Sequence, residues 1–362
     1  MAAMRDDPSA ILERIRAEIE DAGPIGFDRF MQLALYGPGA YYERPPIGIE
    51  GDFVTSPHVH PVFGELFGRA LRELSEHLGA PDPLRLVEIG AGDGTLAEQL
   101  LTHLADLPVT FTAVEASAGA RERLREIPGI HVLDPGALDA AGWGLHLDPH
   151  VVIGHVLLDN LPFRLVSGAS EIRVGLDGDR LVRVEVPAQP DLALIAGRRP
   201  GPGERAVPTE AVRLMHQLGR MLRRGYALFV DYGDAGGGPV HGYRAHHVVE
   251  DVLDRPGSTD ITAGVDFAAL AVAAGDAGLV AMPTVSQLRA LSLLGFEAWT
   301  HAELATQAAS LNRGDGMEAV RRWAGRSRAS ILVDPTGLGR LRWFGVATHG
   351  LPRPSFLEPE ET

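Results

Sequence analysis

The chain has 362 residues, 45% hydrophobic and 22% charged, with a formal net charge of −15 and no cysteine; its size allows about two domains of an ordinary globular protein. The missing cysteines exclude disulfides, thiolate nucleophiles and cysteine-based metal sites, and the acidic balance argues against nucleic acid, because phosphate binding needs a basic face. All 33 basic residues are arginine, which also excludes Schiff-base chemistry and a Walker-type phosphate loop, since both need lysine.

The opening segment has no signal-peptide core, and its acids argue against a transit peptide, so a cytoplasmic location is expected. No apolar stretch reaches bilayer length, so no membrane partner is expected. Asp7 is placed to cap a first helix with Pro8 at its first position, and Ile11, Leu12, Ile15 and Ile19 share one face. Gly23 and Pro24 end that helix. The stretch "YGPGAYYERPPIGIEGDFVTSP" is too rich in glycine and proline for regular structure, and long ordered loops of this kind tend to be functional. A second helix is expected from about Val62 to Leu78.

Beyond it the pattern alternates. Apolar runs at 84–89, 109–114, 130–133, 150–157 and 226–233 are separated by helical segments, which predicts a mostly parallel sheet covered on both faces. Between 165 and 190 the pattern reads as paired strands, with "LDGD" (176–179) as a hairpin turn, and 190–206 reads as a loop. Runs near 279–285 and 341–347 supply the last strands. His241, His246 and His247 of "HGYRAHH" lack a diagnostic ligand spacing, so no metal site is expected.

The most informative stretch is "LVEIGAGDGTLAEQL", residues 86–100. Glycines permit positive φ and let a ligand approach the main chain without a Cβ in the way. Thr95 is placed to cap the following helix, with Glu98 completing a capping box. A dinucleotide fingerprint requires Gly or Ala at 95, so Thr95 disfavours a nicotinamide oxidoreductase. Glu88, Gly90, Gly92 and Gly94 instead form E-x-G-x-G-x-G, which resembles motif I of S-adenosylmethionine-dependent methyltransferases. Glu115 ends the next strand 21 residues after Gly94, where an acid would hold ribose hydroxyls. Asp134, ending the third strand, is either near the adenine or a solvated loop acid.

Further blocks extend the likeness. "IGFDRFMQLALYGPGAYY", "GDFVTSPHVHPVFGELFG", "LVEIGAGDGTL", "VLLDNLPFRLV", "GYALFVDYG", "YRAHHVVEDVLDRPGSTDITAGVDF" and "SQLRALSLLGF" together make the chain resemble the MidA-type methyltransferases from about Ile25 to Gly345. That family includes a mitochondrial complex I assembly factor that is a protein arginine methyltransferase. The resemblance implies an α/β fold: a Rossmann-like S-adenosylmethionine-dependent methyltransferase sheet with helices on both faces and a smaller accessory lobe. Residues 1–80 would form a helical and loop segment over the cofactor cleft, 81–164 and 211–350 the cofactor-binding domain, and 165–210 an inserted part of the lobe.

The resemblance also implies S-adenosyl-L-methionine as cofactor, held by Glu88, Gly90, Gly92, Gly94 and Glu115. Asp52, with Thr55 and Ser56, would close over the methionine end, and Asp159 would face the reactive centre. Asp52 and Asp159 could equally cap a turn and a helix. A protein substrate or partner is implied, and no pattern fixes an oligomeric state.

Several family acids are replaced. His155 and Val156 stand where the family reads Asn-Glu, His58 follows "TSP" in place of a Glu, and Ala206 falls on a further family Glu. An arginine acceptor stays protonated, so carboxylates must orient it and offset its charge. Two expectations follow: an active enzyme in which His155 and His58 act as bases, or a cofactor-binding scaffold or assembly factor whose catalysis has faded.

Overall fold

The computed structural model describes residues 8–36, 39–43, 55–136, 147–197, 203–234, 237–244 and 247–359. The first helix, Pro8–Ala22, buries Ile11, Ile15 and Ile19 along one face, and Gly23, at φ +80°, follows its end. Asp7, the expected cap, lies outside the described residues. The helix expected from about Val62 runs Val62–His77, after short helices at Phe27–Met31 and Ser56–Val59, and buries Phe63, Leu66, Phe67, Ala70, Leu71 and Leu74, the stripe its helical spacing dictates.

Among the described residues, eight strands form the main sheet. The order is Leu279–Ala281, Arg342–Thr348, Tyr226–Asp231, Val151–His155, Leu84–Ile89, Val109–Val114 and Ile130–Leu133, with Val285–Ser286 also on Arg342–Thr348. The five strands from Tyr226–Asp231 to Ile130–Leu133 are parallel, and Arg342–Thr348 pairs antiparallel. Each apolar run expected as a strand carries one. One face packs on Val62–His77, Thr95–His103 and the C-terminal helices; the other packs on Thr209–Met221 and Phe267–Asp276. Strand order reverses between Leu84–Ile89 and Val151–His155, and open parallel sheets bind ligands at the carboxyl ends of strands at such a switch.

A second core lies beside the sheet. Phe27, Phe30, Phe163, Leu165, Val174 and Ile261 pack together in it. Its walls are the first helix, an antiparallel sheet of Ile25–Gly26, Arg164–Ser167, Ser170–Asp177, Arg180–Pro187 and Glu204–Val207, and a three-stranded sheet that includes Val240–Arg244 and Asp260–Ala263. Three separate stretches of chain therefore build this lobe. Its hairpin turns at Gly178, φ +57°, within the expected "LDGD". The expected loop at 190–206 is corrected: Pro190–Gly197 is a helix and Glu204–Val207 a strand. Leu192 and Ala196, one helical turn apart, are buried, a spacing that the nearby glycines and prolines obscure.

Candidate functional site

The glycine turn leaves the strand Leu84–Ile89 and enters the helix Thr95–His103. Gly90, Gly92 and Gly94 have φ of +72°, +57° and +85°, a region that disfavours any side chain with a Cβ. A Cβ on Gly90 would also stand 2.9 Å from Leu157 Cδ1. The helix cap differs from the expectation. Gly94 is the cap residue and no side chain caps it, so neither Thr95 nor Glu98 forms a capping box. Asp93 Oδ1 instead accepts the Thr95 N–H at 3.1 Å, which is the local bond an aspartate offers a tight turn.

Glu115 follows the strand Val109–Val114, and its carboxylate lies against the turn. Its Oε2 accepts the Gly92 N–H at 2.8 Å and its Oε1 accepts the Ser117 N–H at 2.8 Å. Burial raises its pKa, although the backbone donors and Arg121 oppose this. Each oxygen keeps a lone pair for a further donor. Around it lies a cavity of about 220 Å³ with apolar walls from Ile89, Val114, Ala120, Leu161 and Leu214. Its apolar walls, with the Glu115 carboxylate at the turn, suit a nucleoside.

Six residues, Tyr42, Gly90, Gly92, Asp93, Val156 and Asn160, line this cavity and also a larger one of about 1130 Å³. The turn is thus a shared wall. Glu88, on the larger side, is buried; burial and the Glu115 and Asp93 charges push it up to about 8. Its Oε2 has no hydrogen-bond partner among the described residues. A buried carboxyl without a donor is costly, and a cationic ligand would relieve it.

The far part of the larger cavity is acidic. Asp159, buried after the strand Val151–His155, accepts the Thr262 hydroxyl on Oδ2 at 3.1 Å. Asp260 Oδ1 accepts the Tyr42 hydroxyl at 2.8 Å and the Asn160 amide at 3.1 Å. Asp231 lies behind, at the end of Tyr226–Asp231, and meets Asp159 side chain to side chain. Burial, first, and then the mutual repulsion of these carboxylates raise the pKa of Asp159. Val156 links the two halves at φ +50°. A β-branched residue there stores roughly 1–3 kcal/mol of strain; Asp231 Oδ2, accepting the Leu157 and Leu158 N–H groups at 2.8 and 2.6 Å, holds the turn that follows.

The expected site residues divide. Glu88, Gly90, Gly92, Thr55, His155 and Asp159 line the larger cavity, and Gly90, Gly92 and Glu115 the smaller. Gly94 faces Ile127 and Leu124 instead, where a Cβ would clash. Asp52 lies outside the described residues. Ser56 is corrected: it is fully buried, its hydroxyl donates to Gln287 at 3.1 Å, and it does not line the cavity. The Asp134 carboxylate pairs with Arg121 at 2.9 Å and accepts the Gly136 N–H, and it lines neither cavity, the surroundings of the loop-acid alternative.

The histidines do different work from the bases first considered. His155 packs edge-on against Phe63, with ring centroids 5.2 Å apart. Burial, reinforced by nearby His58, lowers its pKa to about 3, so at neutral pH it is an uncharged imidazole and a poor proton acceptor. His58 Nε2 lies 2.9 Å from Asp93 Oδ2, and its Nδ1 2.9 Å from Thr55 Oγ1. It therefore ties the segment entering Ser56–Val59 to the glycine turn. Ala206 pairs with Leu165 in the accessory lobe, away from the cavities, and among the described residues no histidine cluster forms a metal site.

Asp231, Asp260, Tyr42 and Thr262 were not picked out from the sequence. Asp231 had a signal, since it ends an apolar run at a strand's carboxyl end. The other three come from distant segments of the lobe.

A family model for S-adenosyl-L-methionine-dependent methyltransferases matches residues 66–284. The protein arginine methyltransferase NDUFAF7 homolog, mitochondrial, of Drosophila melanogaster is 31% identical over 71% of this chain and 68% of its own. The protein arginine methyltransferase NDUFAF7, mitochondrial, of Danio rerio is 27% identical over 93% of this chain and 86% of its own. A crystal structure of a Burkholderia thailandensis protein bound to S-adenosyl-homocysteine matches with a TM-score of 0.79 at 26% identity, covering 97% of this chain and 94% of that one. The curated relatives are named as mitochondrial proteins, which overturns the expectation of a cytoplasmic location.

Proposed function

The chain belongs to the family of S-adenosyl-L-methionine-dependent methyltransferases, and from that premise we propose that its methyl acceptor is the side chain of a protein arginine. S-adenosyl-L-methionine is its cofactor, and when bound it supplies a methyl group on a positively charged sulfur. The residues fit such a group. The smaller cavity has the walls and the ribose-binding acid for the nucleoside, and the bare main chain at Gly90 and Gly92 admits close approach. Buried Glu88, short of a donor, faces the cationic end.

One observation carries the acceptor reading. The wall across the turn from Glu115 holds Asp159 and Asp260, both buried, each with a hydrogen-bonded neighbour that fixes it. A guanidinium is planar, always protonated and rich in donors, so two fixed carboxylates both orient it and offset its charge. As a nitrogen becomes methylated it must shed a proton, and a carboxylate beside it is the acceptor. Tyr42 and Asn160 hold Asp260, and Thr262 holds Asp159. The relatives' own names, protein arginine methyltransferases, support the same choice. The replaced family acids do not empty this wall, since Ala206 is remote and Val156 borders carboxylates that remain.

The test is transfer from methyl-labelled S-adenosyl-L-methionine to lysate proteins and arginine-bearing peptides, followed by amino-acid analysis. Label on methylarginine, lost in Asp159→Asn, is the expected result. Label on another residue type, or none at neutral and mildly alkaline pH, overturns the reading.

A further inference from the structure

Asp159 and Asp231 are both buried and in side-chain contact, yet their surroundings differ. Asp231 does not line the cavity. Its Oδ2 accepts the Leu157 and Leu158 N–H groups, its Oδ1 accepts the Tyr232 N–H at 2.7 Å, and the Asp159 N–H is a further donor. Burial pushes Asp231 up to about 6 and the surrounding backbone donors oppose this, so at neutral pH it keeps its charge. Asp159 borders the cavity with only the Thr262 hydroxyl on Oδ2, and its buried Oδ1 receives no donor. An oxygen so placed can carry a proton without facing a competing donor.

The other groups facing the pair reinforce this. Asp260 adds negative charge from the strand Asp260–Ala263. Tyr36 and Tyr42 from the N-terminal segment, and Tyr232 and Tyr243 from the opposite wall, are phenols; burial first, and nearby carboxylates second, raise Tyr36, Tyr42 and Tyr232 so that they stay neutral. His155, at the end of the strand that leads to Asp159, is uncharged at neutral pH. Arg342 stands opposite Asp231 in strand register and lines the cavity, but no ion pair joins it to either aspartate among the described residues.

We propose that Asp231 is a positioning residue that keeps a proton on Asp159 while no cation is paired with that carboxyl, and that entry of the acceptor's guanidinium drives that proton out. This rests on the arginine reading above. The step balances simply: the Asp159 O–H bond breaks, its electron pair stays on oxygen, the proton passes to water, and a guanidinium N–H donates to the new carboxylate. One charge enters as one leaves, so the wall is spared adjacent buried anions when empty. A neutral side chain displaces nothing, and the pair therefore selects cations.

Carboxyl carbon NMR of aspartate-labelled protein saturated with S-adenosyl-homocysteine tests this, with Asp159→Asn and Asp231→Asn giving the assignments. Asp159 should be protonated at neutral pH, and in Asp231→Asn its titration midpoint should fall by about one unit or more. Asp159→Asn should lower the Asp231 midpoint in return, which covers the case of an Asp231 variant that does not fold. Adding N-acetylarginine methylamide should ionise Asp159 at unchanged pH. An ionised Asp159 before the probe is added, midpoints unmoved by substitution, or a protonated Asp159 persisting with the probe bound would each overturn this proposal alone. Signals that ignore the probe, in protein that still binds S-adenosyl-homocysteine, would remove the arginine reading and this proposal with it.

Discussion

The two cavities that meet at the glycine turn are assembled in opposite ways. The smaller is built around one contiguous unit, the strand–turn–helix–strand from Leu84 to Ser117, in which Glu115 and Gly92 are already bonded, with Asn160, Glu210 and Gln217 completing its lining. The larger draws on Tyr42, Asp159, Asp260 and Thr262, held together only because the accessory lobe packs beside the sheet. On the proposed reading, a cofactor common to many enzymes would be held by a local motif, and the acceptor by a tertiary arrangement that depends on distant packing.

That contrast predicts separable defects. The largest effect should come from Gly92→Val, which forces a branched side chain onto a φ of +57° beside Glu115. Binding of S-adenosyl-L-methionine should fall more than about 100-fold, given strain and steric exclusion together, with circular dichroism unchanged; normal affinity would remove the turn from the cofactor site. Asp260→Asn should do the reverse. Transfer should fall about 100-fold, on the scale of losing one oriented electrostatic partner, while S-adenosyl-homocysteine affinity stays within about twofold. Equal losses of both would mean that the two halves are not distinct.

Glu115→Ala comes next, weakening cofactor binding by roughly 1.5–3 kcal/mol, the range for hydrogen bonds to a charged group, as read by calorimetry. The most gradual effect, spread over several pH units, concerns Glu88. Glu88 titrates near 8 in the folded chain, above its usual 4.5, so the cofactor-free protein binds a proton there that the unfolded chain has lost. Its stability should therefore decline as pH rises from about 4.5 to 8, by at most ~1.4 kcal/mol per unit. A cation favours ionised Glu88, so cofactor affinity should rise over the same window. Glu88→Gln should flatten both slopes, and a slope unchanged in the variant would assign it elsewhere.

The same division explains what could be read from the chain. Periodicity located the main-sheet strands, and the E-x-G-x-G-x-G spacing with Glu115 picked out residues that the fold brings into contact at the turn, because those signals are local. Cap geometry was missed at Thr95, since Gly94 in the left-handed region takes the cap position. The short helix Pro190–Gly197 was masked by flanking glycines and prolines. Asp260 carries no local mark of its role; only the crossing of Asp260–Ala263 past Asn160 and Tyr42 gives it one. The histidines in place of family acids suggested bases, yet burial makes His155 neutral and Asp93 engages His58.

The most direct measurement is a crystal structure of the protein with S-adenosyl-homocysteine. The account predicts the nucleoside in the smaller cavity with its ribose hydroxyls on Glu115, and the sulfur at the shared wall of Gly90, Gly92 and Val156, open toward Asp159 and Asp260. A nucleoside lying among Asp159, Asp260 and Thr262, or a sulfur closed off from them, would contradict it.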